Sequence, residues 1–231
     1  MAESMSGEQD SGVAGRFVLV AGATSASGLA VTRALASAGA RVVAVGHDAG
    51  KLERLAGDVP GIRTDVCDLT DEAAVRGLAE RLHGTAERVD GVIHLVGGWR
   101  GGGGLAGQSE VDYRFLERSF TALRLVSRAF DDDLRASTGG RLAIVSSAAV
   151  ARPLAGGANY AAVKAASEAW TRAVAQGFTK NAKDAGTPLS AAAVAFRVKS
   201  LEGLEDTLAG AVVGLWAQDA ASLNDTVIAL D

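Results

Sequence analysis

"RFVLVAGATSASGLAVTRALASAGARVVAVG", Arg16 to Gly46, places two valine-rich runs on either side of a glycine turn and a helical pattern of small residues. The first run, "RFVLVAGA" from Arg16, is apolar without alternation, as a strand covered on both faces must be. "AGATSASG" follows at once, with Gly22 and Gly28 among small residues, and "SGLAVTRALASAGA" then reads as a helix. "RVVAVG" from Arg41 is a second strand. Strand, tight turn, helix and strand make a βαβ unit, whose two strands run parallel.

The same alternation continues to the end of the chain. "DAGKLERLAG" from Asp48 predicts a short helix, "GIRTDV" a weak third strand, and "TDEAAVRGLAERLHG" a helix with Val75, Leu78 and Leu82 on one face. "GVIHLVG" from Gly91 and "RLAIVSS" from Arg141 are the fourth and fifth strands. Between them "SEVDYRFLERSFTALRLVSRAFDDDLRAS" predicts one long helix, opened by a Ser109-x-x-Asp112 capping signal. "LSAAAVAF" from Leu189 and "DTVIAL" from Asp225 are the last strands, with the helix "LEDTLAGAVVGLWAQDA" between them. Apolar strands separated by helices predict a doubly wound α/β fold of the Rossmann type: about seven parallel strands in a single domain, residues 13–231.

With 231 residues the chain is long enough to bury a substantial core. A net charge of −4 gives no electrostatic reason to expect nucleic acid or an anionic membrane as partner. No apolar run approaches the ~18 residues of a membrane span. The start, "MAESMSGEQDSG", is polar and acidic where a signal peptide would be basic and then apolar, so residues 1–12 read as a mobile tail and the protein as cytoplasmic. Cys67 is the only cysteine, which excludes an internal disulfide and a cysteine metal cluster. No metal site is expected, and Cys67 reads as a small buried hydrophobe.

A glycine turn between the first strand and the first helix allows backbone N–H groups and the helix N-terminus to face a pyrophosphate. An ordinary βα turn would also carry glycine, but the first turn of a βαβ series is where dinucleotides bind. Tyr160 and Lys164, in "YAAVK", are four apart, so they share a helical face and the lysine leans back over the tyrosine's turn. A phenol with a pKa near ~10 is a sluggish proton source at neutral pH. A cation about 4 Å away at an effective dielectric near ~20 contributes roughly 4 kcal/mol, about a thousandfold in acidity. This predicts a phenol brought into the range of general acid–base catalysis.

These features together resemble the short-chain dehydrogenase/reductase family: the glycine turn, "CDL" from Cys67, the serine pair ending the fifth strand, and "YAAVK". The likeness runs from about Phe17 to the C-terminus. It implies hydride transfer between a nicotinamide and a small-molecule substrate, with Tyr160 as acid/base, Lys164 on the nicotinamide ribose and Ser147 on the substrate oxygen. Ser147 is preferred to Ser146 because it lies thirteen residues before Tyr160, the family's common spacing. The cofactor would rest on Gly22, Thr24, Ser25, Ala26, Ser27 and Gly28, on Asp68 and Leu69 at the adenine, and on Val96 and Gly97. Against the usual TGxxxGxG, Ala21 replaces the threonine and Ala26 the middle glycine. Asp68 could instead cap the helix that follows.

An NAD-binding carboxylate at the end of the second strand is missing; Gly46 occupies its place and His47 the position where NADP-preferring relatives often carry arginine. NADP is therefore expected, with NAD as the other possibility. Other departures follow: "HLVG", His94 to Gly97, replaces Asn-Asn-Ala-Gly, Ser119 takes the relay asparagine's place, and "AFRVKS" replaces the usual Pro-Gly. "GGWRGGGG" from Gly97, Ser119 and "SAAAVAF" resemble the family's dihydropteridine reductase branch, in which Trp99 would stack on a flat heterocycle beside a glycine hinge. That branch generally lacks the serine and uses a second-strand aspartate. One further reading stays open, a cofactor-binding regulatory or partner subunit without turnover; the resemblance also implies a homodimer or homotetramer pairing through the long fourth helix and the tyrosine helix. Trp170, Phe178 and Trp216 read as packing residues.

Overall fold

A computed structural model of the chain describes residues 12–85 and 87–231; the expected tail lies outside them apart from Gly12. Ordered packing begins at once, with the Val13 side chain fully enclosed. Strand β1 (Phe17–Ala21) leads through the glycine turn into α1 (Ala26–Ser37), and β2 (Arg41–Gly46), α2 (Ala49–Asp58), β3 (Arg63–Val66) and α3 (Glu72–His83) complete the first half. The second half comprises β4 (Gly91–His94), α4 (Glu110–Ala129), α5 (Asp131–Ala136), β5 (Arg141–Ser147), α6 (Ala158–Ala185), β6 (Ala192–Val198), α7 (Glu205–Val213), α8 (Ala220–Leu223) and β7 (Thr226–Ala229).

The seven strands form one sheet in the order β3-β2-β1-β4-β5-β6-β7, parallel at every pairing. Successive side chains alternate between its faces. Val18 and Val20 of β1 join Val31 and Leu35 of α1 and Leu208 and Val212 of α7 in one core. Phe17 and Leu19 join Leu78 and Leu82 of α3, Leu123 and Val126 of α4 and Phe178 of α6 in the other. Both faces are covered, and so the strands carry no polar alternation. The chain reverses its direction of winding between β1 and β4, which opens a crevice at the C-terminal ends of those strands.

Two expected helices are interrupted. The long helix breaks at Phe130, whose enclosed ring seats in the core while its backbone leaves the helical region at φ −115°, ψ 11°. Asp131, Asp132 and Asp133 then open α5, where carboxylates favour a helix start. Buried Asp133 accepts from the Val89 N–H at 3.1 Å and pairs with His83 Nε2 at 2.8 Å. The other helix ends at Val213 and tightens into a 3₁₀ turn over Gly214–Ala217. That turn drives Trp216 inward, where its indole N–H donates to the Gly139 carbonyl at 2.9 Å. A Cβ on Gly91 would lie 2.6 Å from the same ring, so the tryptophan and that glycine require each other.

Candidate active site

The turn after β1 is closed by packing. Gly22 has φ +82°, and a Cβ there would lie 2.8 Å from the Val96 N. A Cβ on Gly28 would lie 2.4 Å from the Ala23 carbonyl oxygen. Ser25 caps α1, its Oγ accepting from the Gly28 N–H at 3.0 Å. The exposed Ala26 methyl stands in the open, so the missing middle glycine costs no packing. The positive end of α1 therefore faces the crevice at the closest approach a backbone allows.

Along that crevice lie two lobes that share Ser25, Leu95, Val96, Gly97 and Gly98. The first, about 610 Å³, extends over β2 and β3 and includes Gly22, Thr24, Gly46, His47, Asp68 and Leu69. Asp68 does not cap α3, a task performed by Asp71. Its Oδ1 instead accepts from Thr70 Oγ1 at 2.7 Å and the Thr70 N–H at 2.9 Å, and Arg118 lies 3.5 Å from Oδ2. Those bonds from Thr70, and then Arg118, hold its carboxyl below the ordinary carboxylate value. Asp48, next to His47, is turned onto the start of α2, accepting from the Lys51 N–H at 2.9 Å. Lys51 and Arg118 also line this lobe; neither was singled out in the sequence, since each becomes a neighbour of the crevice only through helix placement. A crevice with this glycine-lined floor, a helix N-terminus and, in Lys51, a lysine that closes no ion pair among the described residues fits a dinucleotide.

The second lobe, about 950 Å³, brings together Ser147, Tyr160 and Lys164 with Ser27, His94 and Trp99. Ser147, at the end of β5, is 4% exposed and accepts from the Ala149 N–H at 3.1 Å. Ser146 turns away, donating to buried Glu168 at 2.6 Å. Arg197 clamps the same carboxylate at 2.7 and 3.1 Å, tying β6 to the tyrosine helix in the region of the missing Pro-Gly. Lys164 Nζ donates to the Val145 carbonyl at 2.7 Å and lies 5.8 Å from the centre of the Tyr160 ring.

The electrostatics depart from the expected arrangement. Burial raises the pKa of Tyr160, with the Ser147 hydroxyl pulling the other way; Lys164 does not acidify the phenol. Burial pushes Lys164 itself down to about 8, against the opposing pull of Glu168. The lysine's charge is spent on a carbonyl and weakened by desolvation, so the i,i+4 spacing places the groups together without supplying the expected field.

Ser119, expected in the relay, lines the first lobe and not the second. Its hydroxyl donates back to the Leu116 carbonyl at 2.8 Å. Its carbonyl is taken by His94, whose Nε2 lies 3.0 Å away and therefore carries the proton. Among the described residues, the buried Nδ1 of His94 has no hydrogen-bond partner. Burial, then the charge of Lys164, lowers this imidazole to about 3, so it is neutral at working pH. Cys67 is buried, and desolvation raises its thiol to about 11, which leaves it unreactive.

Trp99 is 61% exposed at the mouth of the second lobe, at the head of the glycine-rich loop. Gln108 holds that loop, a role the sequence did not signal. Its Nε2 donates to the carbonyls of Gly102, Gly104 and Gly156 at 3.0–3.2 Å, and its Oε1 accepts from the Asn159 N–H at 3.2 Å. One side chain thus links the loop to the residue preceding Tyr160.

Among the described residues no helix is long and apolar enough to cross a membrane, and no group of three His, Cys, Asp or Glu side chains is arranged to hold a metal. The family model described as short chain dehydrogenase matches residues 16–182. D-threitol dehydrogenase of Mycolicibacterium smegmatis is 34% identical over 100 residues, 42% of this chain and 38% of that protein. The chain spans about a third of the length of the first curated relatives it matches. Among solved structures, a metagenomic short-chain oxidoreductase in complex with NADP superposes with a TM-score of 0.81 at 24% identity, covering 95% of this chain and 99% of that one. L-sorbose reductase from Gluconobacter frateurii, complexed with NADPH and L-sorbose, gives 0.81 at 17% identity, covering 96% and 97%.

Proposed function

The chain belongs to the short-chain dehydrogenase/reductase family, and from that premise we propose that it is an NADP-dependent oxidoreductase of a small carbonyl compound. The observation that carries the reading is the meeting of Ser147, Tyr160 and Lys164 in one cavity continuous with the glycine-lined crevice. NADP is preferred to NAD because no carboxylate from the end of β2 faces the first lobe: Gly46 and His47 line it, Lys51 lines it beside them, and Asp48 is engaged in capping α2. A nicotinamide, when bound, supplies the hydride.

The chain's own residues do the rest. The Ser147 hydroxyl donates to the substrate oxygen and polarises the carbonyl. Tyr160 delivers a proton to that oxygen as negative charge develops on it. Burial keeps the phenol protonated at neutral pH, so the proton is present to give, and the negative charge developing on the substrate oxygen draws it off. Lys164 steadies the cofactor ribose and holds the end of β5 through the Val145 carbonyl. Gly97 and Val96, between the lobes, would meet the nicotinamide end. The unit from residue 13 onward acts as one domain, in the cytoplasm, paired with further copies through α4 and α6.

A second reading, a reductase of a quinonoid heterocycle, is favoured by the exposed Trp99 ring at the cavity mouth. NADPH oxidation with diketones, quinones and quinonoid dihydropterin separates these substrates. Tyr160→Phe should lose roughly 10²- to 10⁴-fold in kcat while NADPH still binds, read by fluorescence. If wild type and variant are equally inert with cofactor bound, the chain is a cofactor-binding partner subunit.

A further inference from the structure

The catalytic lobe has a charge opposite to that of the chain. The sequence holds 27 acidic residues against 23 lysines and arginines. Yet no Asp or Glu lines this cavity, whereas Arg152, Lys164 and Lys199 do. Lys164 is committed at the floor to the Val145 carbonyl. Arg152 and Lys199 are exposed at the rim, on the segments that follow β5 and β6, and among the described residues neither closes an ion pair. More than half of the other arginines do, as Arg81 with Asp65 and Arg197 with Glu168 illustrate, each at 2.7 Å. Among the described residues, two cations without a carboxylate partner beside a cavity lined by no Asp or Glu make a positive patch at its rim.

The walls around them are apolar. Leu154 is 78% exposed and Trp99 61%, and both line this lobe with Val198 and Leu201. Pro153 separates Arg152 from Leu154; its ring fixes its own φ and biases Arg152 towards extended backbone. Neither Arg152 nor Lys199 lines the nucleotide lobe. From this arrangement we propose that the substrate is an anionic carbonyl compound, an apolar or aromatic body carrying a carboxylate, with Arg152 as the principal partner of that carboxylate and Lys199 as a second cation. A planar guanidinium pairs with a carboxylate through two parallel hydrogen bonds, and the Trp99 and Leu154 side chains cover the body. The proposal rests on the reductase reading and names its substrate class.

The test uses the full chain, NADPH and matched pairs of aryl keto acids and their methyl esters. Wild type should show a kcat/KM for the acid at least tenfold above that for the ester, and the preference should shrink between 50 mM and 500 mM salt. Arg152→Gln should reduce the acid-to-ester ratio tenfold or more, Arg152→Lys should restore part of it, and adding Lys199→Gln to Arg152→Gln should reduce it further. Equal turnover of acid and ester, or a preference for the ester, overturns the proposal. So does a rise in NADPH Kd in Arg152→Gln with the ratio unchanged, since the cation would then serve the cofactor's phosphates. Reduction of neutral diketones alone would also overturn it while leaving the reductase reading intact. Inertness of wild type and Tyr160→Phe towards every compound removes the reductase reading itself.

Discussion

Between Ala21 and Gly28 a glycine marks a place where no side chain fits, whereas at Gly102 and Gly104 an added Cβ would meet nothing within 4 Å. Both segments border one crevice. The first is welded into the sheet: Gly22 presses on Val96, Gly28 on Ala23, and Ser25 closes the helix start. The second leaves the sheet beyond His94, exposes Trp99 and Leu105, and is held at the start of the catalytic helix by Gln108, by the Gly102 N–H on the Gly156 carbonyl at 2.7 Å and by Asn159 Nδ2 on the Ser109 carbonyl at 3.3 Å. The difference separates two tasks. On the reductase reading proposed above, the packed turn would hold the nucleotide and the more exposed loop would meet the substrate, although Gly101 and Gly107 of that loop are themselves tightly packed.

The largest effect should come from filling the tight segment. Gly28→Ala forces a methyl against the Ala23 carbonyl, and overpacking of this kind costs about 1–3 kcal/mol. NADPH affinity should fall at least tenfold, measured by fluorescence titration, and Tm should drop by several degrees. Gly104→Ala, at φ +65° but in open space, should cost about 1 kcal/mol and leave NADPH affinity unchanged. Similar losses at the two positions would break the contrast.

Next in size is His94, at the point where the rigid sheet passes into the loose loop. Its folded-state pKa of about 3 lies below the ordinary 6.5. The group has no effect on stability above pH 6.5. As pH falls towards 3 the unfolded chain takes up a proton that the folded one refuses, and stability is lost. At pH 5 the loss is about 2 kcal/mol. His94→Asn should abolish this dependence, so thermal melts of wild type and variant should diverge between pH 6.5 and 4. Parallel curves would mean that the imidazole is solvated.

The smallest change is expected at Gln108. Truncation to alanine leaves the Asn159 N–H short of its acceptor, about 1–2 kcal/mol in a partly buried setting, while the Gly156 carbonyl keeps the Gly102 N–H at 2.7 Å. Substrate KM should rise about three- to tenfold, with amides of residues 101–107 exchanging faster. An accompanying loss of NADPH affinity would show that the two segments are coupled.

Much of this was legible in the chain. The β1-to-β2 unit was readable because strands covered on both faces must be apolar throughout, and Tyr160 with Lys164 because helical geometry alone brings positions i and i+4 together. Ser147 and Ser146 separate by strand alternation, which the spacing to Tyr160 anticipated. The break at Phe130 and the inward turn of Trp216 were not legible, since each is set by a hole in the core rather than by local propensity. Lys51, Gln108 and Arg152 carry no signal in the sequence, because they reach the crevice from elements that only packing brings near.

Periodicity and composition by themselves determined the strand order in sequence, the parallel winding and the helix that carries the tyrosine, because those follow from local geometry and the need to cover apolar strands. The state of the groups in the crevice was decided only by the tertiary structure. Burial raises the Tyr160 phenol, discharges His94 and weakens the Lys164 ammonium, and burial is a property of what the rest of the fold brings alongside.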